Sequence, residues 1–186
     1  MSDTDIINTA QQDFNCISKK RRILSLVLYI VITAVLTQID QITKYIAEQR
    51  LYNKPDFVII KDVLHLTYLR NNGSAFGMFS GKINAFLVLT VIMICLITYV
   101  VLKMPLIIKC IPVYITCILL AAGAIGNFID RVRFGYVRDF IYFKIINFPV
   151  FNVADCYVTV SVIIFIILIL FVYKNEDDFA FLSLKK

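Results

Sequence analysis

The stretch ILSLVLYIVITAVLTQI, residues 23–39, decides the class of fold. At ~1.5 Å per helical residue it reaches about 26 Å, which is just enough to cross a membrane. The basic run KKRR at 19–22 precedes it, as in a signal peptide, but no small-residue cleavage site follows. The stretch is therefore predicted to stay in the protein as its first membrane span.

Three further apolar stretches follow along the chain. They are INAFLVLTVIMICLITYVVL at 83–102, CIPVYITCILLAAGAIGNFI at 110–129 and VFNVADCYVTVSVIIFIILILFVY at 150–173. Hydrophobic residues make up 60% of the 186-residue chain, far more than in an ordinary soluble domain. The predicted fold class is an all-α integral membrane protein with four transmembrane helices, in which one membrane domain covers 23–173.

The first long connection, 42–82, contains sequence typical of strands. Its segment DFVIIKDVLHLTYLRN at 56–71 is rich in β-branched and aromatic residues, which predicts two short strands. We expect them to form a small β-element on the membrane surface. Four spans put both termini on one side, and the dense KKRR flank favours cytoplasmic tails at 1–22 and 174–186.

The charge and the metal-binding residues exclude several classes of function. The net charge is +6, but the basic residues flank apolar runs and are interpreted as interface anchors, with no nucleic acid as partner. The five cysteines show neither CxxC nor zinc-ligand spacing, and His65 is the only histidine. Neither a metal nor a cofactor is predicted.

Three aspartates, Asp130, Asp139 and Asp155, lie in or beside the last two apolar stretches. An ionised carboxylate at the centre of a bilayer costs roughly 2.5–3.5 kcal/mol on insertion scales, so its presence needs a reason. Two close aspartates do not easily ionise together, so one keeps its proton while the other can accept a proton from water. That chemistry hydrolyses peptides with neither a metal nor a nucleophilic side chain.

Polar residues also recur at helical spacing on three of the spans. They are Asp40 and Lys44 on the first, Gly123, Asn127, Asp130 and Arg131 on the third, and Asn152, Asp155 and Thr159 on the fourth. Lipid offers such side chains no partners, so the polar faces are predicted to converge inside the bundle. Spacing alone leaves three interpretations open, which are catalysis, proton or ion transport, and helix packing through polar contacts.

Four motifs in fixed order distinguish among these interpretations. DQITK at 40–44, NNGSAF at 71–76, GNFIDRVRFGYVRDF at 126–140 and FNVAD at 151–155 together resemble the lipoprotein signal peptidases, or signal peptidase II. The family patterns are D-x-x-x-K, N-x-G-x-A-F, G-N-x-x-D-R ending in V-x-D, and F-N-x-A-D. Each motif alone is weak, whereas the ordered set is highly specific and covers roughly residues 23–173.

The resemblance implies an aspartyl endopeptidase of the bacterial inner membrane, with its active site toward the extracytoplasmic face. It would cleave signal peptides from prolipoproteins immediately before a lipobox cysteine that carries diacylglyceryl. The implied partners are these prolipoproteins, membrane lipids and globomycin-type inhibitors. The main alternative is a small proton-coupled transporter or channel component, although the chain shows no internal repeat. A membrane assembly factor with purely structural polar contacts is a third alternative.

The resemblance also implies roles for individual residues. Asp139 and Asp155 would be the catalytic dyad. The substrate-binding or site-organising residues would be Asp40, Lys44, Asn71, Gly73, Asn127, Asp130, Arg131, Asn152 and Ala154. The connection 42–82 would form a β-cradle, and 131–149 a mobile loop over the substrate. Because Asp130 lies beside Arg131 in sequence, we expect these two residues to form a local ion pair.

Overall fold

The computed structural model describes residues 3–73, 83–105 and 107–174. The described chain contains four helices long and apolar enough to cross a membrane, which confirms the predicted fold class. Their candidate spans are Lys19–Leu51, Asn84–Lys103, Ile111–Phe134 and Val153–Val172. The C-terminal tail predicted at 174–186 lies outside the described residues, except for its first residue.

Helix α1, Asp3–Leu51, is much longer than the predicted first span. It continues past residue 39 because DQITKYIAEQRL, at 40–51, contains several good helix formers and neither glycine nor proline. It ends just before Asn53, whose φ of 55° is left-handed. The pair Asp40 and Lys44, just past the predicted end of the span at residue 39, is therefore part of the helix. The predicted N-terminal tail at 1–22 is likewise mostly an extension of α1.

Helix α2 covers Ile83–Lys103 and helix α3 covers Ile111–Phe134. A proline in the first turn begins α3, and Gly135 ends it with a left-handed φ of 77° and an N–H bonded to the Arg131 carbonyl at 3.1 Å. Helix α3 extends past the apolar stretch that ends at residue 129, and it includes Asp130 and Arg131 as their helical spacing predicted.

Helix α4, Val153–Ile167, begins with a reciprocal cap and continues as a π-helical turn, Leu168–Val172. The Asn152 side chain accepts the backbone N–H of Asp155, and the Asp155 carboxylate accepts the backbone N–H of Asn152. Helix α4 therefore starts at a motif residue, and its first turn carries Asp155.

A three-stranded antiparallel sheet joins the segment between α1 and α2 to the segment between α3 and α4. Strands β1, Phe57–Ile60, and β2, Leu64–Asn71, confirm the two predicted strands. Strand β3, Val137–Phe143, pairs with β2 and was not predicted. The expectation that 131–149 is a loop is therefore wrong for the end of α3, which is helical to Phe134, and for β3, which is held in the sheet.

Two apolar clusters support the bundle. The larger packs Tyr29 of α1 against residues of α2 and α3 such as Val101 and Tyr114. The smaller packs Phe140 of β3 on Ala47 and Leu51, so the sheet lies on the last turns of α1. His65 of β2 is buried, with 6% exposure, rather than the partly exposed residue that a surface strand would give.

Close helix packing brings the polar faces together. A Cβ placed at Gly123 of α3 would lie 2.5 Å from the Ala154 carbonyl oxygen, and one at Gly126 would lie 2.5 Å from Asp40 Oδ2. No side chain fits at such distances, so α3 approaches α4 and α1 only because both positions are glycine.

Candidate active site

One cavity of about 740 Å³ collects predicted site residues from several parts of the chain. Its polar lining includes Asn71, Gly73, Asn127, Arg131, Asp139 and Asp155. Its remaining walls are largely apolar and include Phe143, Phe148, Phe151 and Val160. The two aspartates of the predicted dyad therefore share one cavity whose other walls are suited to an apolar ligand.

Asp139 lies on β3 and is almost completely buried, with 2% exposure. Asn71 Nδ2 donates to its Oδ2 at 2.8 Å, and Asn152 Nδ2 donates to its Oδ1 at 2.6 Å. Burial raises the pKa of Asp139 to about 7, and the nearby charge of Asp155 adds to this rise, while the two amide hydrogen bonds oppose it. Asp139 therefore changes protonation close to neutral pH.

Asp155 is held by the start of its own helix and by α3. The backbone N–H of Asn152 donates to its Oδ2 at 3.1 Å, and Asn127 Nδ2 donates to its Oδ1 at 2.8 Å. Cys156, next in the chain, also lines the cavity.

Two asparagines connect the aspartates to each other and to α1. Asn152 Nδ2 bonds both Asp139 Oδ1 and Asn127 Oδ1, the latter at 3.1 Å. Asn127 Oδ1 also accepts a hydrogen bond from Lys44 Nζ at 2.8 Å. Because its oxygen receives these two donors, the amide of Asn127 must direct its NH₂ group toward Asp155. Lys44 thereby orients Asp155 through Asn127.

A chain of charges lies behind the cavity, and we call it the buried charge chain. It consists of the buried residues Asp40, Lys44, Asp130 and Arg138 and the half-buried Glu48. Lys44 Nζ lies 2.9 Å from Asp40 Oδ2 and 3.7 Å from Asp130 Oδ2, and the side chains of all three residues are fully buried. Arg138 Nη2 lies 2.8 Å from Asp130 Oδ1, and its Nη1 lies 3.3 Å from Glu48 Oε2. The signs of the charges alternate along the chain, so each buried charge has an opposite neighbour.

Backbone contacts join the buried charge chain to the site. The N–H of Ala154 donates to Asp40 Oδ1 at 2.9 Å, which ties the first turn of α4 to α1. The N–H of Arg138 donates to Asp130 Oδ2 at 2.9 Å, which ties β3 to α3. The N–H of Gly73 donates to Asn71 Oδ1 at 3.0 Å, so the Asn71 amide presents its NH₂ group to Asp139.

The expected ion pair between Asp130 and Arg131 is wrong. The Asp130 carboxylate forms ion pairs with Arg138 and Lys44. Arg131 Nη1 instead donates to the backbone carbonyl of Asn127 at 3.3 Å. The Arg131 guanidinium lies 4.9 Å from the centre of the Phe86 ring and lines the cavity. Adjacent helical residues point about 100° apart, which explains why sequence proximity did not produce a pair.

Three residues that contact the site were not predicted from the sequence, namely Arg138, Gln41 and Glu48. Arg138 is buried, with 4% exposure, and its Nη2 also donates to Gln41 Oε1 at 3.0 Å. The signal that could have found it is the alternation of a strand, because successive residues of β3 face opposite sides. If Asp139 faces the cavity, Arg138 must face the helices behind it.

Comparison with known proteins identifies the group to which this architecture belongs. A family model described as "Signal peptidase (SPase) II" matches residues 32–171, which is well over half of the chain. The chain belongs to the signal peptidase II family. It is therefore a protease of a membrane enzyme family, with four helices able to span the bilayer.

Relatives of this signal peptidase II member are similar over most of their length. The lipoprotein signal peptidase of Caldanaerobacter subterraneus is 44% identical over 143 residues, covering 76% of this chain and 95% of the relative. The lipoprotein signal peptidase of Enterococcus faecalis is 44% identical over 146 residues, which cover 78% of this chain and 89% of the relative. A solved bacterial membrane enzyme is 36% identical with a TM-score of 0.70, covering 86% of this chain and 93% of its own.

Proposed function

We propose that this protein removes signal peptides from bacterial prolipoproteins by cleaving before a lipobox cysteine that carries diacylglyceryl. The observation that carries the proposal is the meeting of Asp139, from β3, and Asp155, from α4, in one largely apolar cavity. Three asparagine side chains hold the two carboxyl groups there, which supports their assignment as a catalytic pair.

The proposed reaction divides the proton transfers between the two aspartates. Asp155 accepts a proton from a water molecule as that water attacks the scissile carbonyl carbon. Asp139, whose pKa is raised to about 7, enters protonated, donates a hydrogen bond to the carbonyl oxygen and later supplies a proton to the leaving amine. The C–N bond breaks, which leaves Asp155 protonated and Asp139 ionised. Transfer of one proton from Asp155 to Asp139, directly or through water, then restores the starting pair.

The cavity walls support a lipid-modified substrate. Phe148, Phe151 and Val160 offer apolar surface to the acyl chains, while Asn71 and Arg131 offer polar groups to the peptide. Membrane lipids and globomycin-type inhibitors would occupy the same surface. In the proposed orientation both termini are cytoplasmic, and the membrane domain of residues 23–173 opens its active site, under the sheet, toward the extracytoplasmic face of the bacterial inner membrane.

The proposal is tested by giving the purified protein one prolipoprotein in two forms, with and without diacylglyceryl on the lipobox cysteine. We expect mass spectrometry to show a product that begins at the lipidated cysteine, formed only from the modified substrate and blocked by globomycin. Equal cleavage of both forms would contradict the proposed lipid recognition. Failure to cleave either form would contradict the proposed function itself.

The rate of cleavage should fall as the pH rises above about 7. Burial raises the pKa of Asp139 to about 7, so higher pH removes the proton that the leaving amine needs. When this acid alone limits the reaction, kcat/KM falls about tenfold for each further pH unit. The measurement is kcat/KM from pH 5 to 9 in detergent micelles. A constant rate up to pH 9 would contradict the assignment of Asp139 as the acid.

Replacing Cys156 should leave cleavage largely intact. Its thiol lines the cavity beside Asp155 and is the one thiol among the described lining residues. Cys156→Ala removes that thiol without touching the carboxyl pair, so we expect kcat/KM to change by no more than about threefold. The measurement is cleavage by this variant and by wild type treated with a thiol-alkylating reagent. Loss of cleavage in the Ala variant would indicate covalent catalysis by Cys156.

A further inference from the structure

Arg138 is a buried cation that neither the family motif nor the proposed chemistry uses. It precedes Asp139 on β3, at the variable position of the V-x-D motif, and is 4% exposed. Its Nη2 reaches Asp130 Oδ1 at 2.8 Å, its Nε reaches Asp130 Oδ2 at 3.2 Å, and its Nη1 reaches Glu48 Oε2 at 3.3 Å. A single side chain on β3 is thus bonded to both α3 and α1.

These bonds fix the strand at the residue beside Asp139. Both the backbone N–H and the guanidinium of Arg138 bond Asp130, so neither the strand nor the side chain can shift independently of α3. Neighbouring Cα atoms are 3.8 Å apart across a trans peptide, so an anchor at Arg138 leaves Asp139 little freedom along or across the sheet. Arg138 therefore determines how far Asp139 lies from α4.

The same arginine also acts on the environment of Asp155. Arg138 hydrogen-bonds both carboxylate oxygens of Asp130. Lys44 Nζ therefore stays 3.7 Å from that carboxylate and donates to Asn127 Oδ1 at 2.8 Å instead. Without Arg138, Asp130 would keep Gln41 and Lys44 as side-chain partners and would attract Lys44 more strongly. Asn127 would then lose the donor that orients its amide toward Asp155.

We propose that Arg138 is a positioning residue that sets the placement of both catalytic aspartates, acting on Asp139 through the strand and on Asp155 through Asp130, Lys44 and Asn127. The proposal rests on the proposed peptidase function. It predicts that the loss of Arg138 slows the chemical step far more than it weakens substrate binding, because Arg138 faces away from the cavity.

The test compares R138Q, R138K and the control R133Q in the cleavage assay, with active sites counted by bound globomycin. Arg133 is an exposed arginine five positions earlier, and its guanidinium lies 5.3 Å from the centre of the Phe134 ring. R133Q therefore removes the same charge as R138Q without touching the buried charge chain. When a catalytic group is misplaced by about 1 Å, the reaction rate falls on the order of 100-fold. We expect R138Q to lower kcat per active site by about that factor with KM within about threefold, and R133Q to match wild type.

R138K separates positioning from charge and extends the test if R138Q is too unstable to purify. Lysine keeps the charge but lacks the fork that bonds Asp130 and Glu48 together, so we expect kcat to fall by about tenfold, between wild type and R138Q. In a protein that already carries Asp130→Asn, adding R138Q or R138K should lower kcat by a further factor of less than about three. The reason is that the residue through which Arg138 acts has already changed.

Three results would overturn the inference while leaving the peptidase function intact. The first is a kcat of R138K equal to that of R133Q. The second is an effect of R138Q on KM alone, or on the number of active sites alone. The third is an equal fall in kcat on replacing Arg138 whether residue 130 is Asp or Asn. Loss of cleavage in wild type itself would instead contradict the proposed function, so the two failures can be distinguished.

Discussion

Asp139→Asn and Asp155→Asn should each abolish signal peptide cleavage while the protein still folds in the membrane. A positioned acid or base contributes about 10²–10⁴-fold to rate, so kcat/KM should fall by about that factor in either variant. Because the pair works as one unit, the double variant should be no slower than the slower single one. The measurement is mass spectrometry of diacylglyceryl-modified prolipoprotein, paired with thermal unfolding in detergent.

Asp62→Asn is the matched control for these variants. Asp62 lies in the turn between β1 and β2, is 68% exposed at its side chain and pairs with Lys144 at 3.2 Å. Its replacement removes a carboxylate from the same part of the protein without touching the cavity, and cleavage should stay within about twofold. Normal processing by either dyad variant would contradict the aspartyl mechanism. Loss of proton flux with processing retained would instead support the transporter alternative.

Lys44→Met should destabilise the protein more than any other single change to the buried charge chain. Lys44 is fully buried between Asp40 and Asp130, and its loss leaves Asp40 without its ion-pair partner. Removing one partner of a buried ion pair costs about 3–5 kcal/mol. For a chain of this size that corresponds to a fall in Tm on the order of 10 °C. Cleavage should also decline, because Asn127 loses the donor that orients it. Thermal unfolding and the cleavage assay measure the two effects.

A double variant distinguishes lost charge balance from lost packing. Asp40→Asn combined with Lys44→Met removes both charges, while the Asn carbonyl can still accept the N–H of Ala154. We expect the double variant to recover most of the lost Tm but little of the lost cleavage. Lys61→Met, at an exposed turn, is the control and should leave both unchanged. A Lys44→Met protein as stable as wild type would show that the buried charges do not depend on this lysine.

The sequence predicted those features that depend on composition and local pattern. The four spans, the two strands at 56–71 and the convergence of the polar faces all follow from apolar length, β-branched content and helical spacing. The ordered motifs identified Asp139 and Asp155, and the structure brings both into one cavity. Their catalytic roles stay a prediction.

The features that were missed depend on contacts between distant parts of the chain. Strand β3 exists because it pairs with β2, which lies more than sixty residues earlier, and no local pattern specifies that partner. The partner of Asp130 is Arg138 on that unpredicted strand, so the missing strand and the wrong ion pair have one cause. The length of α1 was underestimated because the predicted span ended at residue 39, where polar residues begin, although Asp40 and Lys44 neutralise each other within the helix beyond that point.

That internal neutralisation has a consequence for biosynthesis. Asp40 and Lys44 lie one helical turn apart on α1 and contact each other at 2.9 Å, whereas their other side-chain partners belong mostly to α3. The ribosome synthesises α1 long before α3, so α1 must enter the translocon without those partners. An ion pair within the helix gives the nascent segment its own counterion and lowers the cost of partitioning it into lipid. We therefore expect α1 to insert into the bilayer before α3 and α4 are synthesised, and the proposed site to assemble only when those helices follow.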